Sequence, residues 1–427
     1  MIQNQIKECY NYIPDSIFTG KMLQNNCYHE SQNDLLFFMA QYPYVYAQFL
    51  SLIPRYEFQR IVNKYNGDFH TKTFKCWHQL TCMIFAHIRQ EDSLRDIDIA
   101  LNAHAKKLYH IGIRQCPKST LADANEKRDY RIFEDFAKLL MQRARREYKN
   151  TELALDIDNA IYALDASTID LTLSLFPWAK FRTTKGAVKL HAMIDLRGNL
   201  PAFATITDGK VHDIKAAPLV PIEPDGIYVA DRAYVDFDWL WSIRQKHAFF
   251  VTRLKDSIRW TRVISHPVDK SIGIRSDQEI LLYSKKTREK YPERLRRISY
   301  RDETQKRTLI FLTNNFILPA DTIAALYKSR WEIELFFKWI KQNLKVKSFY
   351  GTSPDAVKTQ IWIAMIVYLI LAIIKERYHL NLSLSQLLHF LEVNLFENKS
   401  LVLIFFMNSR DISSRVISND KQLKLFD

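Results

Sequence analysis

Apolar residues recur at helical spacing from Asn33 to Arg146, without β-branched runs. Segments 72–89, 92–103 and 119–148 read as amphipathic helices. Ser119 or Thr120, just after Pro117, is suited to cap the last of these. Residues 93–101 and 119–128 read as the two helices of a helix-turn-helix, on a long connection that holds Gly112 and Pro117. At Ile161 the pattern changes. Ile161-Tyr-Ala-Leu-Asp165 is a short apolar strand ending in an acid, and residues 188–195 alternate. Arg197-Gly198-Asn199 makes a hairpin turn into a third strand at 201–207. A helix follows, with Asp213 its natural N-cap; then come a strand at 226–231, also ending in an acid, a helix at 237–246 and a strand at 248–253. Residues 255–315 alternate apolar and charged positions, as a basic, strand-rich stretch does. A helix starts at Leu318-Pro319-Ala-Asp321 and meets no Gly or Pro until Gly351; apolar helices follow at 355–377 and 382–396.

Three antiparallel strands, a helix, a strand, a helix and a strand is an order that resembles a ribonuclease-H-like α/β core. The chain therefore reads as a multidomain α+β protein. An all-α N-terminal domain covers 1–150, including an arm without clear period over 1–35. The catalytic core covers 151–254 and 316–350, interrupted by a β-rich insertion at 255–315. C-terminal helices occupy 351–427, with a polar tail from Ser409.

The helix through 327–341 carries the most information. On a helical wheel Arg330, Glu334 and Lys341 fall within roughly 60° of Tyr327, and Lys338 and Lys345 lie within about 20° of the same line. Leu326, Ile333, Phe336, Phe337, Ile340 and Leu344 form an apolar face beside that strip. One carboxylate in a row of bases suits a metal together with a polyanion. The competing reading is a solvated face with i,i+4 ion pairs.

Charge sharpens this picture. The chain of 427 residues has a net charge of +14 and a pI near 9.3, which favours a polyanionic partner. Residues 251–350 hold 22 Lys and Arg against 11 Asp and Glu, and residues 51–150 hold 19 against 12, so the basic surplus surrounds Glu334 and also marks the helical domain as DNA-binding. Cys9, Cys27, Cys76, Cys82 and Cys116 are odd in number and lack CxxC spacing, so neither a disulfide framework nor a zinc site is indicated. The N-terminus has no apolar signal region, and the apolar run 361–374 is too short for a comfortable membrane span. A soluble, cytoplasmic, nucleoid-associated protein is expected.

Asp165 and Asp231 end strands that are neighbours in such a core, and Glu334 lies on a helix that would cross the sheet. Three convergent carboxylates are hard ligands for Mg²⁺ or Mn²⁺. The stretch 327–341 matches the Tyr-x₂-Arg-x₃-Glu-x₆-Lys signature and resembles the bacterial insertion-sequence DDE transposases of the "insertion sequence 4" family. Leu164-Asp165-Ala-Ser-Thr168 and Ala230-Asp231-Arg232-Ala-Tyr234 are similar to that family's first two acidic motifs. Asp208-Gly-x-x-His212-Asp213 is similar to a turn between them, and the β-rich insertion is a shared trait. Ala166 departs from the small hydroxyl residue frequent there.

The resemblance implies a DNA transposase that cleaves transposon ends and transfers the strands into target DNA, by cut and paste and in some members through hairpin ends. It implies that Asp165, Asp231 and Glu334 bind two Mg²⁺, with Mn²⁺ as a substitute, and that Tyr327, Arg330 and Lys341 contact end phosphates. Lys338 and Lys345 join them from the helical wheel. His212 and Arg232 are secondary candidates, and Trp260 is a candidate to hold a flipped base. Expected partners are terminal inverted repeats and target DNA, with a homodimer in the synaptic complex. The alternatives are a metal-dependent nuclease or domesticated transposase without strand transfer, and a helix-turn-helix regulator whose acids are structural.

Overall fold

The computed structural model describes residues 42–405, apart from 114, 152, 154, 156, 184, 304–305 and 345–347. The expected N-terminal arm and polar tail lie outside the described residues, as does Lys345. The chain divides into two compact units: Tyr148–Trp339, and Met1–Glu147 together with Ile340–Asp427. The helices expected as separate N- and C-terminal segments thus belong to one unit.

In the helical unit the order is α1 (Val45–Ser51), α2 (Arg55–Lys64), α3 (Cys76–Ile88), α4 (Leu94–Ala103), α5 (Ala105–Ile111), α6 (Lys118–Lys127) and α7 (Arg131–Glu147). The chain re-enters this unit at the end of α12 (Trp331–Asn343) and completes it with α13 (Pro354–Arg377) and α14 (Leu384–Asn394). Ser353 caps α13 by accepting from Ala356 N–H, and Pro354 takes the first helical position, where its missing N–H costs nothing. The helix is buried from Ala356 to Ile374 and packs on α3, α6, α7 and α14. It is long and apolar enough to cross a membrane, yet 94% of its apolar window is buried inside the fold, as in a core helix.

Two expectations change here. The two helices expected as a helix-turn-helix, α4 and α6, pack on each other, but a third helix, α5, stands between them along the chain. The expected helix 119–148 divides at Arg128, whose extended backbone (φ −84°, ψ 142°) ends α6, and Pro117 rather than Ser119 or Thr120 holds the cap position.

The second unit is built on one nine-stranded sheet of order β3-β2-β1-β4-β5-β9-β8-β7-β6. Its strands are β1 (Ile161–Leu171), β2 (Gly186–Asp195), β3 (Leu200–Asp208), β4 (Ile227–Ala230), β5 (Phe249–Arg253), β6 (Trp260–His266), β7 (Ile274–Leu282), β8 (Leu295–Asp302) and β9 (Arg307–Thr313). Only β1–β4 and β4–β5 pair in parallel. The β2–β3 turn needs positive φ at two successive residues, met by Gly198 (83°) and Asn199 (55°). A Cβ at Gly198 would come within 2.1 Å of the Tyr148 ring.

The stretch 255–315 does not interrupt the sheet but extends it. β9 pairs antiparallel with β5, and β8, β7 and β6 follow outward. The helix expected after β3 is a single turn, α8 (Asp213–Ala216), cut short by Pro218 in the next turn. His212, not Asp213, occupies its cap, because the Asp213 carboxylate accepts from Lys189 Nζ at 2.9 Å.

One core of this unit gathers Leu164, Ala230, Tyr234 and Leu240 of helix α9 (Phe237–Gln245); the short α10 (Lys285–Lys290) lies between β7 and β8. The other gathers Ile161, Val229, Val251 and the buried side of α11 (Ala320–Ser329), including Leu326 and Tyr327.

His87 on α3 is fully buried, with Nδ1 2.8 Å from the carbonyl of Leu344 and Nε2 3.2 Å from that of Gln360. Burial pushes its pKa down to about 4, against the pull of both carbonyls. In the unfolded chain the imidazole protonates near 6.5, so the unfolded state takes up the proton first as pH falls. His87 therefore contributes its full stability above pH 6.5 and loses it progressively toward pH 4, at about 1.4 kcal/mol per pH unit. Replacing His87 by Gln should flatten the acid limb of a melting-temperature profile between pH 6.5 and 4. An unchanged slope would show that the ring is not held neutral.

Candidate active site

The parallel ladder across β1, β4 and β5 ends on one row, Leu164–Ala230–Thr252. Asp165 and Asp231 are the next residues on their strands, so they stand side by side where the ladder stops. Adjacent strands are about 4.8 Å apart, which puts the two carboxyl groups within reach of one ion. Asp165 is not at a strand end as expected. β1 runs on to Leu171, with Asp165 opposite Ala192 of β2. What ends there is the pairing with β4. Leu164 points into the α9 core, so Asp165, alternating with it, faces the α11 side.

The third acid arrives on two helices rather than one. α11 ends at Ser329 and α12 begins at Trp331, with Arg330 as the joint. Arg330 N–H donates to Tyr327 O at 3.3 Å, and Ile333 N–H to Arg330 O at 3.2 Å, a local tightening to i,i+3 bonding. Leu326, Ile333, Phe336 and Phe337 are buried, as the helical wheel required.

At this joint Arg330 donates to both acids. Its guanidinium reaches Asp165 Oδ2 at 3.2 Å and Glu334 Oε1 at 2.6 Å. Ala166 N–H donates to Asp165 Oδ1 at 2.8 Å. Asp231 Oδ1 is buried with no hydrogen-bond partner, and Arg330 Nε is likewise unpartnered. Burial pushes the Asp165 carboxyl up to about 6; Ala166 N–H and Arg330 oppose the shift, and Asp231 and Glu334 add to it. Burial likewise raises the Tyr327 hydroxyl.

Among the described residues no three His, Cys, Asp or Glu are gathered as a ready metal cluster, since the Arg330 guanidinium stands between Asp165 and Glu334. The residues fit a cation nevertheless. Two carboxylates share one positive charge, and a third exposes a buried oxygen to nothing, which is costly unless a ligand meets it.

The other candidates divide. Tyr327 is buried against the Phe311 ring, with centroids 5.0 Å apart. Lys338 is exposed on α12, and Lys341 lies in that helix's last turn, two turns beyond Glu334. Arg232 is exposed in the turn after Asp231. His212 is exposed and opens α8 through its carbonyl. Trp260 is not brought to the carboxylates. It sits on the far edge strand β6, five strand spacings from β4, or roughly 24 Å across the sheet. There it packs against the α9-side core beneath Arg297, whose guanidinium is 4.6 Å from the ring centroid.

Sequence reasoning missed Asn199, whose amide donates to Glu332 Oε2 at 2.7 Å and ties the β2–β3 turn to α12. Residues 133 apart in sequence leave no local sign of such a bond.

Comparison with known proteins places the chain in a family. Residues 158–370 match the family described as "Transposase DDE domain", and residues 43–114 match a "Domain of unknown function (DUF4372)". The chain is 32% identical to "Putative transposase y4zB" of Sinorhizobium fredii, over 66% of this chain and 79% of that one. It belongs to the DDE transposases. It is also 27% identical to "Probable transposase for insertion sequence element IS5377" of Geobacillus stearothermophilus, over 78% of this chain and 86% of that one. A cryo-EM structure titled piggyBac transposase synaptic complex with hairpin DNA aligns with 92% of this chain and 82% of that chain, at 10% identity. Its TM-score is 0.40, too loose a likeness to bear on the fold. The protein is thus a DNA transposase of insertion-sequence type, and its family depends on divalent metal.

Arg330→Ala strips the guanidinium from both carboxylates. A buried ion pair broken from one side costs about 3–5 kcal/mol; partial exposure of Asp165 and Glu334 reduces this to roughly 2 kcal/mol. Added Mg²⁺ or Mn²⁺ should raise the variant's melting temperature more than the wild type's, because a ligand of the folded state stabilises it by mass action. Equal shifts in the two proteins would show that these acids form no cation site.

Proposed function

We propose that Asp165, Asp231 and Glu334 are the acidic triad of this transposase, which cleaves at the element's terminal inverted repeats and joins the freed ends to target DNA. The observation that carries the reading is the placement of Asp165 and Asp231 at the end of one parallel ladder, with Arg330 linking Asp165 to Glu334. The strand order β3-β2-β1-β4-β5 supports taking that part of the sheet as a ribonuclease-H-like core. Two Mg²⁺ held by the triad, with Mn²⁺ as substitute, would supply an activated water or 3′-hydroxyl and stabilise the leaving oxygen.

The chain's own residues do the rest. The buried face of α11 and α12 holds Glu334 toward the sheet. Arg330, rotated off the carboxylates, presents a guanidinium fork matched to phosphate oxygens. Tyr327 backs that fork, its ring 5.7 Å from the guanidinium carbon. Lys338, Lys341 and Lys345 add charge for the DNA backbone, and Arg232 is a secondary phosphate contact. His212 opens α8 and stays a secondary candidate, and Trp260 is left out of the contact set. The basic helical stretch 42–147 binds the transposon end. The protein works in the cytoplasm on nucleoid DNA, as a homodimer when two ends are paired.

Asp165→Asn, Asp231→Asn and Glu334→Gln should each abolish cleavage of a terminal-repeat duplex while DNA binding survives. Wild-type cutting by any one of them would remove that residue from the triad. A pre-cut end incubated with target DNA separates the chemistry further: cleavage without joined product would mark a nuclease.

Lys341→Ala should weaken end binding and reduce the slope of log K against log salt by about 0.9, the loss of one phosphate contact. An unchanged slope would exclude Lys341 from the interface.

A further inference from the structure

We propose that Arg253 is a phosphate-binding residue of the same site, holding a non-bridging oxygen of the DNA strand next to the cleaved bond. The proposal rests on the reading of Asp165, Asp231 and Glu334 as the acidic triad.

The argument begins with register. β4 and β5 pair in parallel, with Ala230 opposite Thr252. One residue further, Asp231 and Arg253 occupy the same row, as Asp165 and Asp231 do on the other side. Three adjacent parallel strands therefore deliver Asp, Asp and Arg at about 4.8 Å spacing, with side chains on one face. That face is set by Val251, two residues earlier, which belongs to the core shared with Tyr327.

The backbone of Arg253 is held firmly. It is still laddered to Phe311 of β9, and the Thr252 hydroxyl donates to the Asp231 carbonyl at 3.3 Å. The side chain is half-buried, and among the described residues no hydrogen bond or ion pair engages its guanidinium. The buried Arg296 of the sheet is not left so. Arg296 makes a two-pronged pair with Asp277 at 2.9 and 2.7 Å. A guanidinium on a rigid strand in the row of Asp231, but without an ion pair among the described residues, lacks an anion. With five donors in a fixed fork, it is suited to a phosphodiester rather than to a single-atom ligand. Lying on the β5 side of Asp231, it would hold the backbone across the row from Asp165.

The test uses the full-length protein and terminal-repeat duplexes carrying an uncharged methylphosphonate at each phosphate flanking the cleavage point in turn. Arg253→Ala should slow cleavage about 100-fold, the scale of losing one preorganised charge-stabilising donor. Arg253→Lys should recover part of that loss. One methylphosphonate position should slow the wild type but add nothing to the Arg253→Ala defect, since the contact is already gone. Wild-type cleavage by Arg253→Ala, or full additivity at every position, would overturn the proposal. If the Ala variant melts early, Arg253→Lys with the same substrates decides by the same criterion. Asp231→Asn is run in parallel. If it still cuts, the triad reading has failed; if it is dead while Arg253→Ala is not, only the role of Arg253 has.

Discussion

Two carboxylates held by one guanidinium are the constraint on which the site depends. Asp165 belongs to the centre of the sheet and Glu334 to a helix laid over it, and Arg330 binds both. Burial already pushes the Asp165 carboxyl up with the arginine in place, and the nearby acids add to it; without that charge the acids would resist ionisation further. The same arginine is the joint between α11 and α12, so the charge pairing and the helix junction meet at one residue.

The scaffold around that joint is tied from several directions. Thr313 and Asn314 bond the backbone of β5 at Phe250 and of Ala248 just before it, and Asn315 turns the chain toward α11 by accepting from Ile317 and Leu318 N–H. Arg296, paired with Asp277, also donates to the carbonyls of Asn315 and Leu318. These bonds join the outer strands to the start of α11. The stretch 255–315 is therefore a part of the sheet that positions the helix, and not an attachment hung from it. Asn199, through Glu332, steadies α12 from the opposite edge of the sheet.

The helical unit follows different physics. Its stability comes from burying α13, whose apolar residues on every side would suit a lipid interior if α3, α6, α7 and α14 did not cover them. Burial there is strong enough to keep His87 neutral between two carbonyls. Residues 43–114 of this unit match a domain of unknown function.

Much of the site could be read from sequence because its parts are periodic or punctuated. The 3.6-residue repeat marked the buried face of α11 and α12, the alternation marked β1 to β3, and the Tyr-Arg-Glu-Lys spacing tied the helix to its family. Local chemistry also decided the β2–β3 turn, where only Gly198 and Asn199 accept the backbone. Sequence could not say that Asp165 lies mid-strand, that α5 splits the expected helix pair, or that Trp260 ends up on a far edge. Nor could it show Arg330 bonded to an acid 165 residues away, or Arg253 set in the row of Asp231. Periodicity is a property of neighbours along the chain, so it fixes which face a residue takes. Strand order, register and charge pairing are choices among distant partners, made only when the whole sheet closes.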